Sequence, residues 1–479
     1  MKILFIFPNW TKVFGTFSSV AKRASSFPPL NLALLAAIAE TSGYEVRIID
    51  AELESLSDQE ILEKVKSFSP DIIGFTATTP IFYIVVNLAY KIKKAFNIPI
   101  ILGGTHVTIM KESAFKDCFD FLFIGEAEET FPLFLETYKN GRNISSIPGL
   151  ILKEKTNILF TGMPKPLSDL DIIPFPARHL LKTERYKVGT LQGKKVYTSI
   201  MFSRGCPFSC IYCSIKVFGR EVRRRSVSNL VSEIESVIRQ FDIRHFYFID
   251  DVLTLDRKYI FNLCDEIEKR KLKITFEGST RASLVDEELI QHLARGGLIR
   301  ISFGLESADP EILRIIKKDV PLESYVEANR LTNKYDIETI NSVMLGLPGE
   351  TRESIERTIS FLRRTREIQH ATYSIAMPYP GTEFYDMAKN GEYGLKLHTE
   401  DFSKYQRYDS SVLSVNSISP EEFVYLQKIG LLKIYLTPWR IIPMIKRFGM
   451  LALIPPLFMC MKSIFNNLFL KSIRSIFCK

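Results

Sequence analysis

Three cysteines, Cys206, Cys210 and Cys213, stand close together in the run Arg204-Gly205-Cys206-Pro207-Phe208-Ser209-Cys210-Ile211-Tyr212-Cys213-Ser214. A Cys-x3-Cys-x2-Cys loop can turn three thiolates onto a four-iron cubane. Three irons are then held by protein and the fourth stays open, and an incompletely liganded metal is where a substrate coordinates. Two other readings fit the same residues: a zinc site completed by the distant His245 or Cys264, or three ordinary buried thiols. Zinc loops usually supply two separated ligand pairs, and no second pair follows here.

The elements that would hold this loop begin near Val196, where apolar runs alternate with helical stretches. Strands are expected at Val196–Ser203, His245–Ile249, Ile274–Gly278, Arg300–Phe303, Glu338–Leu345 and Ala371–Met377, with helices between them, including Val227–Phe241, Arg257–Lys269, Asp286–Arg295 and Arg352–Arg366. Six such units suit a partial (β/α)6 barrel, whose chemistry gathers at the C-terminal ends of its strands. The cysteine loop follows the first strand, Asp250 and Asp251 the second, and Glu277 and Arg281 the third. Gly304-Leu305-Glu306-Ser307 follows the fourth and Gly346-Leu347-Pro348-Gly349-Glu350 the fifth. Acidic residues at such places equally serve as caps for the next helix.

With Gly205 and Pro207 flanking it, Tyr212 before the last cysteine and a barrel strand before it, the loop resembles the signature of radical S-adenosylmethionine (SAM) enzymes. The resemblance covers residues 198–385. It implies a [4Fe-4S] cluster on Cys206, Cys210 and Cys213, and SAM chelated at the open iron. An electron from a donor such as flavodoxin or ferredoxin would then cleave SAM to a 5′-deoxyadenosyl radical. By the same resemblance, SAM contacts are expected at Tyr212, Asp250, Asp251, Arg281, Glu306 and Gly346.

The first part of the chain alternates in the same way. Strands are expected at Lys2–Phe7, Glu45–Ile49, Ile72–Thr76, Ile98–Leu102 and Phe121–Ile124, separated by helices at Leu30–Thr41, Glu60–Phe68, Phe82–Phe96 and Glu128–Lys139. Continuous apolar strands between helices imply a Rossmann-like, doubly wound parallel sheet, so the fold class is α/β throughout. Ligands of such sheets lie outside the carboxyl ends of the strands. There the chain places Thr76-Ala77-Thr78-Thr79, Gly103-Gly104-Thr105-His106 and Gly125-Glu126-Ala127-Glu128. Each segment alone reads as a turn, a C-cap or a helix start.

Together they resemble the cobalamin-binding domain that precedes the barrel in one class of radical SAM enzymes. This implies cobalamin contacts at Thr76, Thr78, Gly103, Gly104, Thr105, Gly125 and Glu126. One departure is plain. Many cobalamin proteins carry Asp-x-His-x-x-Gly after the first strand, but Asn9-Trp10-Thr11-Lys12-Val13-Phe14-Gly15 has no histidine, so the cobalt would have no protein imidazole beneath it. A flavodoxin-like interaction or substrate domain is the alternative. The expected layout is 1–143 cobalamin-binding-like, 144–195 a proline-rich connector, 196–390 the radical SAM barrel, and 391–479 a helical C-terminal region.

The composition, 46% apolar and 24% charged over 479 residues, is that of a folded chain of two or three domains. Its net charge of +9 is concentrated at one end: no acidic residue follows Glu422, and eight basic residues follow Gly430. The body is nearly neutral, which argues against a nucleic-acid partner. The apolar run 448–461 is too short to span a bilayer and is broken by Pro455-Pro456. With Trp439, Phe448, Phe458, Phe465 and Phe469, the tail reads as a segment lying on an anionic membrane surface, or else as a helical cap on the barrel. Seven cysteines, an odd number, and no secretory signal predict a cytoplasmic chain without a disulfide scaffold.

The expected activity is cobalamin-dependent methylation of an unactivated carbon on an apolar or lipid-like small molecule. Cyclisation, carbon–carbon coupling or oxidation would use the same cofactors, and a non-catalytic metal-binding scaffold is the reading from another class.

Overall fold

Two largely parallel sheets stand in series, each assembled from apolar strands followed by helices. The computed structural model describes residues 1–11, 13, 27–190, 193–214, 217–406, 408 and 410–442. Most of the apolar tail, Phe448 to Phe469 included, lies outside these residues.

The first sheet contains β1 (Lys2–Phe7), β2 (Glu45–Asp50), β3 (Ile72–Thr76), β4 (Ile100–Gly103) and β5 (Phe121–Phe123), parallel in the order β2-β1-β3-β4-β5. Ile3, Leu4, Phe5 and Ile6 are all buried, as expected for a strand covered on both faces. Helices Leu30–Thr41, Asp58–Phe68, Phe82–Ala95 and Thr130–Lys139 provide the cover. Ser57 and Glu60 form a reciprocal capping box that starts the second of these at Asp58, ahead of the expected Glu60. The sheet does not end with β5. Residues of the proline-rich stretch add β6 (Leu150–Glu154) and β7 (Asn157–Phe160) as an antiparallel edge.

The same stretch ends in a hairpin, β8 (Lys187–Thr190) with β9 (Gly193–Val196). The barrel follows: β10 (Thr198–Ile200), β13 (His245–Phe248), β14 (Thr275–Thr280), β15 (Leu298–Glu306), β16 (Glu338–Leu345) and β17 (His370–Ile375), each parallel to its neighbour in that order. The expected first strand, Val196–Ser203, is divided. Val196 ends β9, and Ser203 belongs to β11 (Ser203–Arg204), which pairs antiparallel with β12 (Arg223–Arg224). The chain leaves the barrel here because the Asp250 carboxylate accepts hydrogen bonds from the backbone N–H groups of Phe202 (3.1 Å) and Ser203 (2.6 Å).

One end of the barrel is closed by charge. His245, Glu277, Arg300 and Glu338 form a buried ladder across adjacent strands, with Arg300 donating to Glu277 and Glu338 at 2.9 Å each. Arg300 also donates to the Gly189 carbonyl of β8 at 2.6 Å, so the hairpin seals this floor. Chemistry is left to the opposite, C-terminal end.

Helix Pro420–Tyr435 packs on β17; the Gln427 amide donates to the Tyr373 carbonyl at 2.9 Å. Arg440 is buried and donates to the carbonyls of Leu362 and Ile368, both at 2.7 Å. Lys433 pairs with Glu356 at 2.8 Å. Residues 420–442 are therefore a cap on the barrel; of the eight basic residues of the tail, Arg440 is engaged inside the protein and Lys433 pairs at its surface. Among the described residues no helix is long and apolar enough to cross a membrane.

Candidate active site

The cysteine loop, residues 205–222, is pinched at its base by the β11–β12 pair, in which Arg204 faces Arg223. Gly205 sits at φ +97°, and a Cβ there would lie 2.1 Å from the Glu221 carbonyl oxygen, so no other residue fits. Asp250 holds the loop from below: besides the two amides it accepts from the Ser203 hydroxyl at 2.6 Å. Burial pushes its carboxyl up to about 7, against the lowering effect of these bonds. Behind the loop, the turn after helix Pro310–Ile315 packs closely: the Ile211 N–H donates to the Ile316 carbonyl at 3.2 Å.

The three thiols share one space. Burial is the main cause that pushes Cys213 up to about 12, followed by the charges of Asp251, Cys206 and Cys210; Cys206 is raised by burial, Asp251 and Cys210. Thiolates crowded in this way are stabilised by bound iron, and three soft sulfurs around one space fit a [4Fe-4S] cluster. A mononuclear zinc site does not fit. Among the described residues no three His, Cys, Asp or Glu side chains are placed to hold one metal ion. His245 is engaged by Glu277 (3.1 Å) and Thr275 (2.9 Å), and Cys264 is buried in the barrel core.

The residues expected around SAM gather at the same end, with distinct surroundings. Arg281 lies over the Phe208 ring at 3.9 Å, and its Nη1 is 3.7 Å from Cys210 Sγ. Its Nη2 donates to the Lys318 carbonyl, while its Nε is buried without a partner. Glu306 ends β15 at φ +62°, a left-handed conformation that is costly for glutamate and typical of functional positions. Its carboxylate accepts from the Tyr212 hydroxyl (3.0 Å) and from Lys318 Nζ (3.3 Å). Gly304 leaves room for this fold-back: a Cβ there would lie 2.3 Å from Glu306 Oε1 and 2.8 Å from Lys318 Nζ. The Gly346 N–H donates to Glu350 at 2.6 Å. Asp251 is raised by burial, and its charge acts on Cys206 and Cys213. Asp250, in contrast, is committed to the backbone that launches the loop, so the geometry makes it a positioning residue. Lys318 was invisible in the sequence, because a turn distant in the chain delivers it.

Beside this end lies a cavity of about 570 Å³ where the C-terminal ends of the two sheets face each other. Thr76, Thr78 and Thr105 line it from the first domain, and Ser199, Ser214, Ile249 and Tyr379 from the barrel. Trp10 and Phe27 add apolar wall; their rings are 6.1 Å apart, and Phe27 reaches Tyr247 of the barrel at 5.6 Å. A cavity of this size with a hydroxyl-edged, apolar lining is in the range that takes an organic ligand. The expected glycines are packed against protein. Gly104, at φ +106°, is packed so closely against Ala77 that a Cβ would meet its carbonyl at 2.6 Å. Gly103 lies against Phe123, and Gly125 against Pro164 of the former connector. Glu126 is held by Arg204 and Arg223. None of these four lines the cavity. Trp10 and Phe27 do, and sequence reasoning missed them because isolated aromatics read as core.

Comparison with known proteins agrees with this geometry. The family model for the radical SAM superfamily matches residues 200–362, and that for the B12 binding domain matches residues 19–135. An uncharacterized methyltransferase of Pyrococcus horikoshii is 32% identical over 446 residues, covering 91% of this chain and 93% of that protein. The anaerobic magnesium-protoporphyrin IX monomethyl ester cyclase of Rubrivivax gelatinosus is 30% identical over 416 residues, covering 85% of this chain and 72% of its own. Among solved structures, the radical SAM methyltransferase TsrM from Kitasatospora setae, with cobalamin and a [4Fe-4S] cluster bound, superposes with a TM-score of 0.71 at 17% identity, over 91% of this chain and 88% of that one. With one cysteine loop built for a cluster and one cavity shared by two matching domains, the chain belongs to the radical SAM superfamily, in the branch of enzymes that carry a B12-binding domain and use a [4Fe-4S] cluster, SAM and cobalamin.

Proposed function

We propose that the chain methylates an unactivated carbon of an apolar, lipid-like small molecule. The observation that carries this reading is the cavity at the C-terminal ends of both sheets, whose apolar wall includes Phe7, Trp10, Phe27, Ile249 and Tyr379. When bound, the cluster with SAM supplies a 5′-deoxyadenosyl radical, and cobalamin supplies the methyl group. The chain's own residues do the rest. Thr76, Thr78 and Thr105 offer hydroxyls to the cofactor side of the cavity, and the aromatic wall orients an apolar substrate and excludes water. Arg281 and Glu306, with Tyr212 and Lys318, frame the SAM side. The tail beyond Ile442, basic and without acids, would bring the enzyme to an anionic membrane where such substrates reside. Reduction comes from a small electron carrier of the flavodoxin or ferredoxin type.

The test is anaerobic reconstitution with iron, sulfide and cobalamin, followed by turnover with methyl-labelled SAM and an apolar cellular extract. Methylation yields a labelled apolar product, S-adenosylhomocysteine and 5′-deoxyadenosine. The similarity to the cyclase favours one second reading, ring closure or oxidation; it would yield 5′-deoxyadenosine with no labelled product, and that result would replace the present proposal.

A further inference from the structure

The loop expected to touch cobalamin is bolted instead to the cluster loop. Glu126 and Glu128 follow β5 at the C-terminal end of the first sheet, and Arg204 and Arg223 form the facing pair at the base of the cysteine loop. Arg204 Nη1 donates to Glu126 Oε2 at 2.6 Å, and its Nη2 donates to Glu128. Arg223 grips the same Glu126 carboxylate through both terminal nitrogens, one at 3.0 Å, and also donates to the Leu167 carbonyl. Side-chain exposures are 3% for Arg204, 7% for Arg223, 7% for Glu126 and 11% for Glu128. Two positive and two negative charges thus cancel inside the protein, with fork geometry that fixes direction as well as distance.

Such a site is an expensive way to gain stability, since buried ion pairs contribute little over apolar packing. What it does supply is registry. Arg204 lies two residues before Cys206, and Glu126 lies one residue after Gly125, beyond the strand that closes the parallel part of the first sheet. We infer that the Arg204–Arg223–Glu126–Glu128 quartet is a positioning device that sets the cluster loop at a fixed distance and angle from the cobalamin-binding face. These four are positioning residues: they touch neither the thiols nor the shared cavity. The inference rests on the two-cofactor assignment of the enzyme, and failure of the wild-type protein to bind cobalamin would count against that assignment and not against the quartet.

The experiment uses the full chain, reconstituted with iron, sulfide and cob(II)alamin, and compares wild type with Glu126→Gln and with the double variant Glu126→Gln/Arg223→Met. The single variant leaves an excess buried positive charge and serves as the folding control. The double variant keeps the site neutral, with Arg204 and Glu128 still paired, while removing the fork across the domains. Electron paramagnetic resonance reads three things: the reduced cluster, its change on adding SAM, and the magnetic interaction between cluster and cob(II)alamin. The double variant is expected to assemble the cluster and respond to SAM as wild type does, yet to lose or broaden the cluster–cobalt interaction. A wild-type interaction in the double variant would overturn the inference. So would loss of the cluster itself, which would confine the quartet to folding the loop.

Discussion

The carboxylate of Asp250 binds the amide and hydroxyl of Ser203, both at 2.6 Å, three residues before Cys206. A strand-end acid is thereby used to aim the cysteine loop. Replacing Asp250 with alanine strands three buried donors, at about 1–3 kcal/mol for each left unsatisfied. The expected outcome is a lower anaerobic melting temperature and less iron per chain, while Asp250→Asn, which keeps an acceptor oxygen, retains most of both.

Gly205→Ala should be worse for its size. The left-handed backbone alone costs about 1–3 kcal/mol in a non-glycine residue, and the added methyl would lie 2.1 Å from the Glu221 oxygen. Iron content after reconstitution is expected to fall to background while the first domain, with its own core, still binds cobalamin.

Arg281 tunes as well as holds. Its guanidinium lies 3.7 Å from Cys210 Sγ, and donors or positive charge near cluster sulfurs make reduction easier. Arg281→Met should therefore lower the midpoint potential of the cluster in a redox titration, with iron content unchanged.

Filling the cavity separates the two cofactors. Thr105→Trp places an indole in the cavity that Thr76, Thr78 and Trp10 also line. Cobalamin per chain should drop at least tenfold while the cluster spectrum remains; unchanged cobalamin loading would mean that the cofactor lies elsewhere.

Glu350 carries a pH signature. Burial raises its carboxyl from 4.5 to about 8, so the folded state binds a proton that the unfolded state releases. Stability from this group is therefore lost as pH rises from 4.5 toward 8. Glu350→Gln mimics the protonated form, and its stability should be flatter than wild type across that window in chemical denaturation.

The strands were legible because covered parallel strands are continuous apolar runs, and Lys2–Phe7 and Glu338–Leu345 emerge with the bounds expected. The cysteine loop was legible from residue type and spacing. The β6–β7 edge was not: its residues Leu150–Glu154 and Asn157–Phe160 are short, half-exposed and set among prolines. Nor was the division of labour between Asp250 and Asp251, neighbours in sequence that face a backbone and a thiol cluster. Only the path of the chain between Ile200 and Arg204 separates them.

The stretch between the sheets is stitched into both. It adds β6 and β7 to the first; its Tyr186 hydroxyl donates to Asp50 at 2.7 Å, and its Arg178 reaches Glu233 of the barrel at 2.6 Å, with both partners buried. A cut between this stretch and the barrel would part the buried Arg178 from Glu233 and leave that glutamate with Arg225 as its remaining arginine. Each half expressed alone should therefore melt at a lower temperature than it does in the full chain, because the stretch carries buried hydrogen-bond and ion-pair partners for both.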